Sequence, residues 1–200
     1  MTYDNLVLDV QRYMERDDVG FVAQIPSLIG LAEAAIAAEL KTLLQLTVVE
    51  TTLATNQDVL AKPARWRKTV SMKVNGTPML LRSQDYIAQY QSQSSNGQPK
   101  YYGEYDYNNW NFAPKPDDDY PVEIIYYSLI QPLDLSNQQN LFTRECPQAM
   151  LFGTLLQAQG YLKALDKIPV WKQYYTESLA ALKKEDSSRR IDRNTTVQEP

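Results

Sequence analysis

The sequence predicts an α+β protein: mainly a helical bundle of two N-terminal and two C-terminal long helices, with an inserted β-strand region and an extended C-terminal arm. Three observations predict it. Apolar residues recur at helical spacing over 1–46 and 141–185. Residues 47–134 are instead dense in β-branched and aromatic side chains and broken by Pro, Asn and Gly. Residues 186–200 hold only one Ile and one Val among charged and polar neighbours, a composition that cannot bury itself. On this reading 1–185 is a single domain and 186–200 a flexible arm. A chain of 200 residues can bury one substantial core without a second domain.

The elements follow in order. Leu6, Val10, Tyr13 and Met14 share one face of a first helix over 2–16. Pro26 suits the first turn of a second, whose stripe is Leu28, Ile29, Ala32, Ala35, Ile36, Leu40, Leu43 and Leu44. Thr47 to Thr55 is dense in branched residues and reads as a strand, with a turn at 56–60. Trp66 to Val74 alternates, with Trp66, Val70, Met72 and Val74 on one face. Asn75-Gly76 then favours the positive-φ turn of a tight hairpin, returning through Met79 to Leu81. Ser83 caps a short helix over 84–91, followed by a polar loop over 92–98. Tyr101 to Phe112 and Val122 to Ile130 read as two Tyr-rich strands separated by the Pro114–Lys115–Pro116 kink. Pro147 opens a third long helix and Pro169 a fourth. The short link 166–168 makes these two an antiparallel pair.

Composition removes whole classes of chemistry. There is no His, hence no His general base, no Ser-His-Asp or Cys-His arrangement and no His-ligated metal. Cys146 is the only cysteine, so neither an intrachain disulfide nor a CxxC zinc site can form, and a reducing, intracellular setting is expected. The N-terminus is too polar for a signal peptide, and no apolar run is expected to approach a membrane span. A net charge of -4 lacks the basic footprint of a nucleic-acid binder.

Candidate sites are correspondingly few. No glycine-rich phosphate cradle occurs, so no nucleotide cofactor is expected. Asp117-Asp118-Asp119 reads as a solvated turn, because consecutive residues point in different directions and no distant ligands are identifiable. Cys146 has no base to activate it. Trp66 sits beside a small basic cluster of Arg65, Arg67 and Lys68, whereas Tyr101, Tyr102, Tyr105, Tyr107 and Trp110 form an aromatic set among acidic neighbours. That charge disfavours stacking on nucleic-acid bases and suits core packing, subunit contact or partner contact. A carbohydrate-binding use of the same rings is the alternative from another class. The expectation is no enzyme, no cofactor and no metal.

Three phrases in order, YDNLVLDVQRYMERDDVGFVAQIPSLIGLAEAAIAAEL, WNFAPKPDDDYPVEIIYYSLIQPLDLS and CPQAMLFGTLLQAQGYLKALDKIPVWKQYYTESLAAL, resemble the head-to-tail adaptor (connector) proteins of tailed bacteriophages. The resemblance implies a homo-oligomeric, dodecameric ring in the virion, assembled in the host cytoplasm. Such a ring docks beneath the portal protein, prolongs the DNA channel and gives tail or nozzle proteins a platform; a tail-tube or tail-completion ring protein is the nearest alternative. By the same resemblance the C-terminal arm reaches the portal through Ser187, Arg189, Arg190, Ile191, Arg193 and Val197.

Overall fold

The computed structural model describes residues 1–163 and 167–190. Among these, helices and strands divide into two compact units, one from Met1–Leu44 with the described residues from Ile130 onward, the other Gln45–Leu129.

The first unit is helical. It holds α1 (Tyr3–Met14), α2 (Val19–Val22), α3 (Ile25–Glu39), α5 (Leu141–Glu145), α6 (Pro147–Leu162) and α7 (Ile168–Arg190). The chain starts cleanly because Thr2 and Asp18 accept hydrogen bonds from the first-turn amides of α1 and α2. Glu15 ends α1 in the left-handed conformation, its N–H returned to Arg12 and Gln11. The core joins Leu6 and Val10 of α1 to Ile25, Leu28, Ile29 and Ile36 of α3, and to Met150, Leu155 and Ala158 of α6. Leu179 and Leu182 of α7 close it. The predicted stripes of α1 and α3 are therefore used, except that Tyr13 stays exposed. Phe152 touches Trp171 and Tyr174, while Cys146 and Gln148 share a depression with Leu182 and Glu185, so α6 and α7 run antiparallel.

Val19–Glu39 contains an 18-residue window with a mean hydropathy of 1.6, a membrane-spanning length by composition, which corrects the expectation that no apolar run approaches one. Here the stretch is broken between α2 and α3, and Ile25, Ile29, Ala32 and Ile36 are fully buried, so its apolar character is that of a core helix.

The second unit overturns the predicted mainly helical bundle. About 47% of the described residues are helical, and the strands form two four-stranded sheets. The strands are β1 (Leu46–Leu53), β2 (Val59–Ala61), β3 (Trp66–Val74), β4 (Thr77–Pro78), β5 (Leu80–Leu81), β6 (Tyr101–Glu104), β7 (Asn109–Ala113) and β8 (Tyr120–Ser128). One sheet has the order β1-β8-β3-β4, the other β2-β7-β6-β5. One core draws on both, with Leu53, Met72, Val74, Val122, Ile124 and Tyr126 from the first sheet and Tyr102, Trp110 and Phe112 from the second. This is a two-layer packing with its own apolar interior. The helical reading failed because the stretch from Tyr101 to Phe112 is two strands and a turn, and because β2 and β5 are too short to alternate visibly.

Two turns meet their predicted chemistry. Asn75 and Gly76 sit at φ 48° and 74°, and Val74 pairs with Thr77 across them. Ser83 caps α4 (Gln84–Gln93), which lies over the second sheet, with Ile87 fully buried and the Gln91 amide donating to the Phe112 carbonyl at 2.7 Å. Gly103 makes that crossing possible. A Cβ there would lie 2.7 Å from Asn111 Oδ1 and 3.1 Å from both Ile87 Cγ1 and the Arg82 carbonyl.

Candidate partner-docking surface

The hairpin joining β6 to β7 carries an exposed tip held by several hydrogen bonds. Its tip runs Tyr105-Asp106-Tyr107-Asn108. Asp106 accepts from the Asn108 amide at 2.6 Å and from Asn109 Nδ2 at 2.9 Å, and these bonds hold its carboxyl below the usual carboxylate range. The Lys62 amide donates to the Asn108 carbonyl at 2.7 Å.

The Lys62 side chain then locks the tip from beneath. Its ammonium donates to the Asp106 carbonyl at 2.9 Å, to the Tyr107 carbonyl at 3.1 Å and to the Glu104 carboxylate, which satisfies all three protons. The side chain is only 4% exposed, with Nζ 4.0 Å from the Trp66 ring centroid and 5.7 Å from that of Trp110. Trp66 and Trp110 meet edge to face at 5.9 Å. A cation, a carboxylate and two indoles therefore fix a four-residue tip whose outward groups are Tyr105, 49% exposed, and Tyr107, 78% exposed.

The six aromatic candidates thus divide. Trp110 and Tyr102 are buried in the core and Trp66 is half-buried behind Lys62. Tyr101 belongs to a separate ring group, 5.2 Å from Tyr86 and 5.0 Å from Tyr90, with the Arg82 guanidinium over its face. Sequence reasoning missed Lys62, for which no spacing signal exists. It also missed Tyr86 and Tyr90, whose i,i+4 spacing on α4 was available.

Among the arm candidates, Ser187 and Arg189 lie in the last turns of α7, which continues past the expected boundary at residue 185. Arg189 bonds Glu185 one turn back at 2.5 Å, and the Asp186 carboxylate accepts from the Leu43 amide at 2.6 Å. Arg190 is the last residue of that helix. Ile191, Arg193 and Val197 lie outside the described residues.

The remaining candidates carry structural bonds. Asp119 accepts from both the amide and hydroxyl of Thr55, and Asp117 accepts from the Tyr120 hydroxyl. Among the described residues no group of three or more acidic or sulfur side chains is placed to hold a metal ion. Cys146 ends α5 buried, and burial, with the Glu145 charge adding to it, pushes its thiol up to about 12. Its labelling by a disulfide reagent at pH 8 is expected to be over ~1000-fold slower in the folded than in the unfolded chain, because an ordinary thiol of pKa ~8.5 is partly ionised there. Equal rates in the two states would contradict the buried placement.

The described surface thus offers exposed aromatic and charged groups, with no metal-binding cluster among the described residues. The protein's class is that of bacteriophage structural adaptors: the chain belongs to the SU10 adaptor protein family, whose sequence profile matches residues 1–198. That membership makes it a virion-associated phage protein that interacts with other head or tail proteins. No match is found among curated proteins.

Proposed function

We propose that this chain forms a dodecameric ring between the portal and the tail of a tailed phage, extends the DNA channel and serves as the tail attachment platform. Residues 1–185 act as the adaptor domain and 186–200 as a portal-binding arm. The observation that carries this reading is the family match, which runs over residues 1–198. The stiff hairpin supports it: Tyr105 and Tyr107 are the contact groups for neighbouring proteins, and Trp66, Tyr102 and Trp110 support them from behind. Channel-facing carboxylates would repel DNA phosphates and ease passage without sequence-specific binding. The sugar-binding alternative loses Trp110, which is fully buried.

The test is to mix the purified protein with its cognate portal and image the product by electron microscopy. A second ring stacked on the portal is expected. A ring that joins only tail proteins would instead assign it as a tail-tube or tail-completion component. Chains ending at Arg190 and at Lys184 separate the arm from its base, because the shorter one also removes Asp186 and its bond to Leu43. The Arg190 truncation, which lacks Ile191, Arg193 and Val197, should weaken portal binding at least ~10-fold through lost charge-assisted pairs. Full-strength binding would refute the arm.

A further inference from the structure

The four edges of the two sheets are unequal. β4 and β5 are two residues long, β4 ending in Pro78, and β2 is three residues long. β1 has eight, paired to β8 without a register break. A short or proline-bearing edge cannot template another strand, whereas a long regular one can.

The direction of its backbone groups follows from two bonds on the far side of β8. Asn75 donates to the Pro121 carbonyl at 2.9 Å, and Leu129 donates to the Arg65 carbonyl at 2.6 Å. Odd-numbered residues of β8 therefore aim their backbone groups at β3. Their partners on β1, namely Leu46, Val48, Glu50 and Thr52, aim theirs away from β8 into the open edge. Among the described residues no hydrogen bond reaches the amides and carbonyls of Val48, Glu50 and Thr52, since β1 pairs with β8 alone. Side chains of the same residues stand on the outer face, where Val48 is 58% exposed.

Charge then selects the occupant. Glu50 lies directly across from Glu123, and Lys73 on the next strand bonds Glu123 at 2.6 Å, leaving Glu50 as the uncompensated end of the row. Like charges directly opposite each other destabilise a sheet, and a cation placed beside them relieves it. A second β1 edge fits poorly. In the two antiparallel registers of greatest overlap, Glu50 would fall opposite or diagonal to its own copy.

We propose that the free edge of β1 accepts an extended segment of another virion protein, added as a ninth, antiparallel or parallel, strand of the β unit, with a Lys or Arg side chain beside Glu50. This inference rests on the virion-associated placement of the family. It is tested by hydrogen–deuterium exchange of the Val48, Glu50 and Thr52 amides, in the isolated protein and in purified phage particles. Exchange at least ~10-fold slower in particles is expected, as a newly paired edge requires.

In particles, Glu50→Lys should lower incorporation more than Glu50→Gln. Val48→Pro should also lower it, because it removes an outward amide while leaving the β8 ladder intact. The charge series stands even where the proline variant does not fold. Unchanged exchange in particles that contain the chain overturns the inference alone. Protection that appears in the isolated protein as its concentration rises assigns the edge to a second copy and also overturns it. Absence of the chain from particles refutes the virion placement itself, and the inference with it.

Discussion

Trp110→Ala is expected to destabilise the β unit by about 3–5 kcal/mol, the range for deleting a fully buried indole from a packed core. The side chain fills the space between the two sheets, meets Trp66 edge to face and forms part of the aromatic wall around the Lys62 ammonium. Its loss leaves a cavity and thins the cover over a buried cation, and both effects have the same sign. A typical domain is stable by only ~5–15 kcal/mol, so about a fifth or more of the margin would go. The midpoint of urea unfolding followed by near-ultraviolet circular dichroism measures this. The helical core contains none of the residues packed around Trp110, so its far-ultraviolet signal should persist to higher urea in the variant. A loss under ~1 kcal/mol would contradict the packing.

Asn140→Ala carries the second large effect, about 2–4 kcal/mol in the helical unit, combining a lost cap with orphaned buried groups. The Asn140 side chain accepts from the amides of Phe142 and Thr143 at 3.0 and 3.2 Å, and Thr143 Oγ1 accepts from the Asn140 amide at 2.9 Å. Its own amide donates to Glu33 Oε1 at 2.5 Å and to the Gln131 carbonyl at 3.2 Å, so one side chain ties α3, the preceding loop and α5 together.

The pH dependence has a defined sign. Burial raises the Glu33 pKa above its ordinary 4.5, against the hydrogen bonds from Leu133 and Asn140 that lower it. The folded chain therefore binds that proton more readily than the unfolded one. The stability this contributes is complete below 4.5 and is lost as pH rises through the folded value. Without Asn140 the upward shift grows. The deficit of Asn140→Ala relative to the parent should therefore widen from pH 4 to pH 7, measured by urea unfolding, and Glu33→Gln should remove that widening. A deficit independent of pH would exclude the Glu33 contact.

What the sequence made legible was local. The helix stripes of Leu6, Val10, Ile29 and Ile36, the Asn75-Gly76 turn and the Ser83 cap all depend on contacts within a few residues, and all were readable. The strand from Trp66 was read with the wrong face for Val70. Register breaks after Trp66 and Thr69 reset the alternation, and Val70 points outward. Two sheets were not inferred because their pairing is non-local: β1 finds β8 some seventy residues later, and nothing in either strand names the other. The aromatic set was visible as composition, but which rings are buried depends on Lys62, and Lys62 acts on the 104–107 segment only through the tertiary fold.

That lysine has a further consequence for assembly. A loop that must be ordered when a partner arrives subtracts its lost freedom from the binding free energy, roughly 0.5–1.5 kcal/mol for each immobilised side chain. The 105–108 tip arrives with its backbone already clamped, so Tyr105 and Tyr107 give up little beyond rotation about their own side-chain bonds. In the contact proposed above, two phenols held in this way would act as a stiff peg, favouring long residence of a neighbouring virion protein.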